Sequence, residues 1–153
     1  MGIKAKYTEK ELFEEFDDSF SKLKKDLINK FFSLGKRAVD IAVADGNYIN
    51  RSGILRSSIG CGISFNGVLL KEYGFFSIMQ EGDSGAILGR NLLYSKIKTN
   101  VKINQLRLVI VAGAEYASFL EESDSYTVFS GGIDFVEENL VSILKQLKVI
   151  PNE

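Results

Sequence analysis

The sequence contains no histidine and a single cysteine, Cys61. Histidine is the usual general base near neutral pH and the commonest ligand for metal ions, so its absence argues against both kinds of site. A lone cysteine has no partner for an internal disulfide, and without histidine it lacks the usual activating base for a thiol nucleophile. We therefore expect a protein that is not an enzyme, with no catalytic residues, no cofactor and no metal site.

An excess of basic residues and a long apolar run are also missing. Lysine and arginine number 19 against 20 aspartate and glutamate residues, which leaves no surplus to attract nucleic-acid phosphates. The longest apolar run, 106–114, contains Arg107 and is far shorter than the roughly 20 residues that span a bilayer. The N-terminus shows no apolar segment of a secretory signal. We expect no nucleic-acid specificity and no membrane partner.

Length and composition predict one domain over residues 1–153. The chain is 45% hydrophobic and 25% charged, which is enough to build one core, whereas two cores at this length would each be marginal. The expected fold class is α+β, with a long N-terminal helix over about 8–45 and an α+β body over about 46–150. The body combines an antiparallel β-sheet with a hairpin, an inserted helix and a C-terminal helix packed on the sheet.

The N-terminal helix is predicted by a capping box at Thr8 and Glu11 and by apolar residues spaced three and four apart. At 1.5 Å per residue it is about 54 Å long, while a domain of this size has a radius of gyration of about 15 Å. Either the helix breaks near Gly35 and both halves pack on the domain, or it projects and offers its stripe to a partner. The stripe consists of Leu12, Phe16, Phe20, Leu23, Leu27, Phe31, Leu34, Ala38 and Ile41.

The middle of the chain is rich in predicted strands. Asn66 and Gly67 lie between two apolar runs, 59–65 and 68–76, and this dipeptide is the strongest local signal for a hairpin. The segment 105–112 alternates and then becomes apolar on both faces, which predicts a strand in the centre of the sheet.

The other segments are predicted from helical spacing and turn residues. A polar loop is expected over 80–85, a helix over 86–98, and a short helix or turn over 116–122. Residues 126–129 are expected to form an edge strand or an extended segment. The closing helix is expected over 133–149, because Pro151 marks its end.

Two segments together resemble a known family. The first segment is 45–60, and within it Ser52-Gly53-Ile54-Leu55-Arg56-Ser57-Ser58-Ile59 carries the first motif. The second segment is 109–121, and within it Tyr116-Ala117-Ser118-Phe119-Leu120-Glu121 carries the second motif. They resemble the tail-component family of long-tailed bacteriophages, which are head–tail joining or tail-completion proteins. The chain departs from the family pattern at two positions. Ser52 stands where the family has threonine, and Glu122 stands where the family often has a glycine after the acidic residue.

The resemblance implies a structural protein of virion assembly, encoded by a bacteriophage or prophage. Such a head–tail connector acts at the neck or the head-proximal tail as a homo-oligomeric ring, with other neck and tail proteins as partners. Its expected location is the virion, and the host bacterial cytoplasm during assembly. We expect subunit contacts from the helix residues Phe16, Phe20 and Leu23 and from the hairpin residues Asn66 and Gly67. The fold would be held by Gly53, Leu55, Arg56, Ile59, Tyr116, Ala117, Phe119 and Glu121, with Glu121 paired to Arg56 or Arg51 or to a neighbouring subunit.

Two alternatives stay open. One is a small regulatory or ligand-binding module of a mobile element, which requires a well-formed apolar pocket. The other is a metal-dependent enzyme that uses the carboxylates of Glu115, Glu121 and Asp124, although their spacing matches no known cation-binding loop.

Overall fold

The computed structural model describes residues 9–48, 51–118, 122 and 128–148. Its elements confirm the α+β prediction, with helices and an antiparallel sheet in one chain. In chain order they are α1 (Glu9–Asp45), α2 (Ile54–Ser57), β1 (Ile59–Phe65), β2 (Val68–Gly74), α3 (Gly82–Lys98), β3 (Leu106–Ala112) and α4 (Ser130–Gln146).

The sheet has three antiparallel strands in the order β2–β1–β3. Asn66 and Gly67 join β1 to β2 with φ angles of 53° and 77°, so the predicted hairpin is confirmed. The prediction that the last strand is central was wrong, because β3 pairs only with β1 in the described part of the chain. Its apolar residues on both faces have another cause: α1 packs on one face of β3 and α3 packs on the other.

The two faces of β1 differ in the size of their side chains. On the α1 face Ile59 and Cys61 are fully buried and join the core that contains Val39 of α1. On the α3 face stand Gly60 and Gly62. A Cβ added at Gly60 would strike the ring of Phe75, and one at Gly62 would lie 2.9 Å from Leu93. The glycines therefore leave room for side chains from the other elements of the α3 layer.

Helix α1 is continuous over 37 residues, about 55 Å long, and does not break at Gly35. Gly35 lies against the sheet, where an added Cβ would stand 2.6 Å from a methyl group of Leu108. Only the C-terminal half of the helix is buried, through Leu34, Ala38, Val39 and Ala42. Of the two readings left open by the sequence, the projecting helix is the one observed.

Helix α3 begins at Gly82, so the prediction of a loop over 80–85 was wrong. The reason is packing: Gly85 and Gly89 bring the helix backbone against the carbonyl oxygens of Ile54 and Ser58. Glycines that resemble loop residues in the sequence act here as a flat contact face within a helix.

Helix α4 packs mainly on α1 within the described residues. Gly132 allows the approach, because a Cβ there would lie 2.7 Å from the carbonyl oxygen of Ala38. The predicted C-terminal helix is present, and it packs mainly on α1, whereas we expected the sheet to be its main contact. Of the predicted segment 126–129, Val128 and Phe129 form a bend before α4 and the rest lies outside the described residues.

Candidate interaction surfaces

The N-terminal part of α1 carries exposed aromatic side chains. We call residues 9–23 the arm. Phe13 is 64% exposed, Phe16 57% and Phe20 70%, while Leu23 is half-buried. Their spacing of three and four residues places them on one face of the helix. Exposed large apolar side chains that cluster in this way mark interaction sites more often than isolated ones do.

Sequence reasoning named Phe16, Phe20 and Leu23 but missed Phe13. The signal was present, because Phe13 precedes Phe16 by three residues and Phe20 by seven. The structure places the four side chains in one row, with the exposed members farthest from the sheet.

The arm is strongly acidic. Residues 9–18 contain six carboxylates and one lysine. That lysine, Lys10, lies 3.9 Å from the Glu14 carboxylate in an exposed pair, which contributes little to stability. Asp17 follows Phe13 by four residues and precedes Phe20 by three, so it borders the aromatic row.

A second exposed surface lies at the hairpin end of the sheet. We call residues 96–107 the basic loop segment. It carries Lys96, Lys98, Lys102 and Arg107, and the sequence has no carboxylate between Asp83 and Glu115. Ile103 is 88% exposed and Val101 is 44% exposed. Sequence reasoning missed this segment, because its single apolar residues follow no helical or strand period.

The basic loop segment is tied to the predicted hairpin residues. The Asn66 amide donates to the Gln105 carbonyl oxygen at 3.1 Å. A Cβ added at Gly67 would lie 2.7 Å from a methyl group of Val101. The hairpin tip and the loop therefore form one continuous end of the molecule.

Ser58 joins the two segments that carry the family resemblance. Its hydroxyl donates to the Leu55 carbonyl oxygen at 2.8 Å and accepts the Ala114 amide at 3.1 Å. The Ser58 carbonyl oxygen also accepts the Gly113 amide at 3.1 Å. Ser58 is fully buried, so these bonds are shielded from water. The start of β1 and the end of β3 are thus held together at the base of the second motif.

Gly53 and Leu55 have the structural roles expected from the first motif. Gly53 precedes α2 with a φ of 88°, in the left-handed region that favours glycine, and packs against the carbonyl oxygen of Ile78. Leu55 is buried at 1% exposure, and Ile59 is fully buried. The Ile78 amide donates to the Ser57 hydroxyl at 2.9 Å, which fixes the chain that leads into α3.

Arg56 contacts the end of α1. Its guanidinium donates to the Gly46 carbonyl oxygen at 3.4 Å and lies 5.5 Å from the centroid of the Tyr48 ring. Burial raises the pKa of Tyr48, and Arg56 partly opposes that rise. Arg56 therefore ties the end of α1 to α2, while Glu121, its predicted partner, lies outside the described residues.

The second motif is only partly described. Ala117 is buried at 6% exposure, as expected for a residue that holds the fold. Tyr116 is 44% exposed, so close to half of its surface faces solvent. The small side chains of Ala114 and Ala117 make the buried contacts here, in the same core cluster as Ala112 of β3. Phe119 lies outside the described residues.

Two polar clusters outside the motifs connect secondary-structure elements. The Tyr73 hydroxyl donates to Asp40 at 2.9 Å, and this bond is the main reason that the pKa of Tyr73 is raised. On the other face Glu72 accepts from Arg90 at 3.2 Å and from Tyr94 at 3.0 Å. These bonds fasten β2 to α1 on one face and to α3 on the other.

The thiol and carboxylates considered as candidate chemical groups are only partly described. Burial raises the pKa of the Cys61 thiol to about 12, so it is a neutral thiol at physiological pH. Glu115 is exposed, and Glu121 and Asp124 lie outside the described residues. Among the described residues no three carboxylate or cysteine side chains come close enough to share a metal ion.

An open groove of about 500 Å³ runs beside β3. Leu92, Val109 and Val111 supply its apolar floor, and Lys96 and Arg107 stand at its rim. Its size falls within the range of ligand pockets, but its wide mouth contrasts with the enclosure typical of small-molecule sites.

Comparison with known proteins gives no further guide to the site. No protein family, curated protein or solved structure matches this chain. None of the helices in the described ranges is long and apolar enough to cross a membrane.

Proposed function

We propose that this chain is a non-enzymatic virion assembly protein of a long-tailed bacteriophage or prophage. In this proposal it acts at the neck or the head-proximal tail and works through ring-type contacts between subunits. The proposal is supported by the two sequence segments that resemble the tail-component family. It is also supported by the Ser58 hydrogen bonds, because residues of both segments meet at one buried junction.

The observation that carries the proposal is the row of exposed phenylalanines on the arm. Full burial of one phenylalanine side chain contributes about 1.5–3 kcal/mol. Phe13, Phe16 and Phe20 are each more than half exposed, so most of that contribution is unrealised in the isolated chain. A projecting helix with this face is suited to a protein whose function is to bind other subunits.

A ligand-binding module of a mobile element is the second candidate. The groove beside β3 favours it, because Leu92, Val109 and Val111 give it an apolar floor. This function requires a small apolar ligand that stabilises the chain on binding, since a ligand that binds only the folded state raises the unfolding midpoint.

The test is to delete the coding sequence from the prophage, induce, and image the particles by negative-stain electron microscopy. Filled heads with unattached or malformed tails support an assembly role, and the missing part shows where the protein acts. Normal infectious virions would refute the proposal and favour the ligand-binding module.

Complementation then tests the arm itself. The double variant Phe16→Ser/Phe20→Ser should fold but fail to restore joined particles. Val141→Ser is the matched control, because Val141 is 51% exposed on α4 and lies outside the arm. Restoration by the double variant would show that the arm is not the contact.

A further inference from the structure

We infer that the arm of one copy docks on the basic loop segment of the next copy. This inference rests on the proposed function, because the contact it describes joins neighbouring subunits of the proposed ring. The occupant of the aromatic row is therefore a second copy of this chain, and its docking surface is the hairpin end of the sheet.

Charge argues for this pairing and against two arms pairing with each other. The arm has six carboxylates and one lysine over residues 9–18, so two arms side by side repel. The basic loop segment has four cationic side chains and no carboxylate. Opposite fields of this kind guide association and disfavour the wrong partner.

Apolar surface is present on both sides of the contact. The arm offers Phe13, Phe16 and Phe20, and the loop offers Ile103 and Val101, of which Ile103 is almost fully exposed. An apolar centre bordered by charges of opposite sign is the arrangement found in specific protein interfaces.

The geometry directs the arm to a neighbour and not to its own loop. The Lys24 ammonium lies 3.7 Å from the centroid of the Phe65 ring, at the last residue of β1, so the arm passes beyond the sheet there. The basic loop segment lies at the same end, since Gln105 accepts from Asn66. A straight helix of about 22 Å does not turn back onto its own loop.

Because the arm extends past the hairpin end, a neighbouring copy displaced toward the tip of the arm would bring its basic loop segment to the aromatic row. Such a contact joins different surfaces of the two subunits. Its repetition gives a ring where the rotation between copies closes, and an open filament where it does not.

Cross-linking of the full chain tests the contact. Asp17→Cys and Lys102→Cys are made separately, one of them carries a tag, and the two are mixed and oxidised under mild conditions. Native Cys61 is buried and does not compete. We expect a disulfide-linked dimer that contains one copy of each variant, and little dimer from either variant alone.

A control variant and two outcomes make the test decisive. Ser142→Cys, on an exposed part of α4, should give no cross-link with Asp17→Cys. Dimers formed by Asp17→Cys alone would show that arms pair with each other, and would overturn the inference. Absence of any mixed dimer at the highest concentration that stays in solution would overturn it as well.

Charge exchange gives a second readout by analytical ultracentrifugation. The variant Asp17→Lys/Asp18→Lys should lose self-association, and mixing it with Lys98→Glu/Lys102→Glu should restore it at least tenfold. Lack of restoration would count against the charge pairing. If deletion causes joining defects but the cysteine variants give no cross-link, this contact is refuted and the assembly role stands. If the cross-link forms but deletion leaves normal virions, the assembly role is refuted and the contact stands.

Discussion

Replacement of Ser58 by alanine should destabilise the fold far more than its small change in volume suggests. The substitution removes the hydroxyl that accepts the Ala114 amide at 3.1 Å and donates to the Leu55 carbonyl oxygen at 2.8 Å. Ser58 is fully buried and Ala114 is 5% exposed, so water does not replace the lost acceptor. An unsatisfied buried donor costs about 1–3 kcal/mol, and we expect the free energy of unfolding to fall by about 2 kcal/mol.

Ser64 provides the matched control. It is also fully buried, but its hydroxyl has no hydrogen-bond partner among the described residues. Ser64→Ala removes a hydroxyl that already carries the cost of burial, so the change in stability should be near zero or favourable.

Urea denaturation followed by circular dichroism measures both variants. The midpoint should fall for Ser58→Ala with an unchanged dependence on urea, because the surface exposed on unfolding is the same. The melting temperature should drop by about 4–8 °C for a chain of this size. Equal effects of the two substitutions would refute the reasoning, because burial and not the hydrogen bonds would then decide the cost.

Three further outcomes are expected. Gly53→Ala should lower the free energy of unfolding by about 2 kcal/mol or more in the same urea assay, because φ is 88° and the added methyl group meets the Ile78 carbonyl oxygen. Gly131→Ala should raise it by about 0.5 kcal/mol, since the nearest atom is an Ile41 methyl group at 3.5 Å and alanine favours the helix; a loss of stability would contradict the packing described for α4. Cys61 should resist alkylation at pH 9 until denaturant is added, and stability should fall between about pH 9 and 12, because its pKa is about 12 in the folded state and near 8.5 when unfolded. Rapid labelling of the folded protein would refute that burial.

Local patterns in the sequence were sufficient for the elements that depend on local physics. The stripe of α1 has a 3.6-residue period, and Asn66 with Gly67 requires two positive φ angles in succession, so both features follow from neighbouring residues. The length of α1 also predicted that the helix either breaks near Gly35 or projects beyond the domain. Gly35, the candidate for a break, lies inside the continuous helix and against Leu108, which is distant in sequence.

The features missed by sequence reasoning depend on which elements meet. A strand that is apolar on both faces is either flanked by strands or covered by helices, and the pattern in β3 is the same in both cases. Gly82 and Gly85 have low helix propensity, so they indicate a loop until their close contacts are known. For the candidate surfaces, the arm was predicted from its period, while Ile103 lies in a loop and follows none.

The glycines on the α3 face of β1 affect which substitutions this chain can accept during evolution. Gly60 makes room for the Phe75 ring, and Gly62 makes room for Leu93, so volume at each pair of positions is shared between a strand and its neighbour. A methyl group gained on the strand is then acceptable only where the partner becomes smaller. In chains descended from this one, the side-chain volumes at positions 60 and 75 should therefore change in a correlated way, and so should those at positions 62 and 93. The summed side-chain volume of each pair should stay nearly constant.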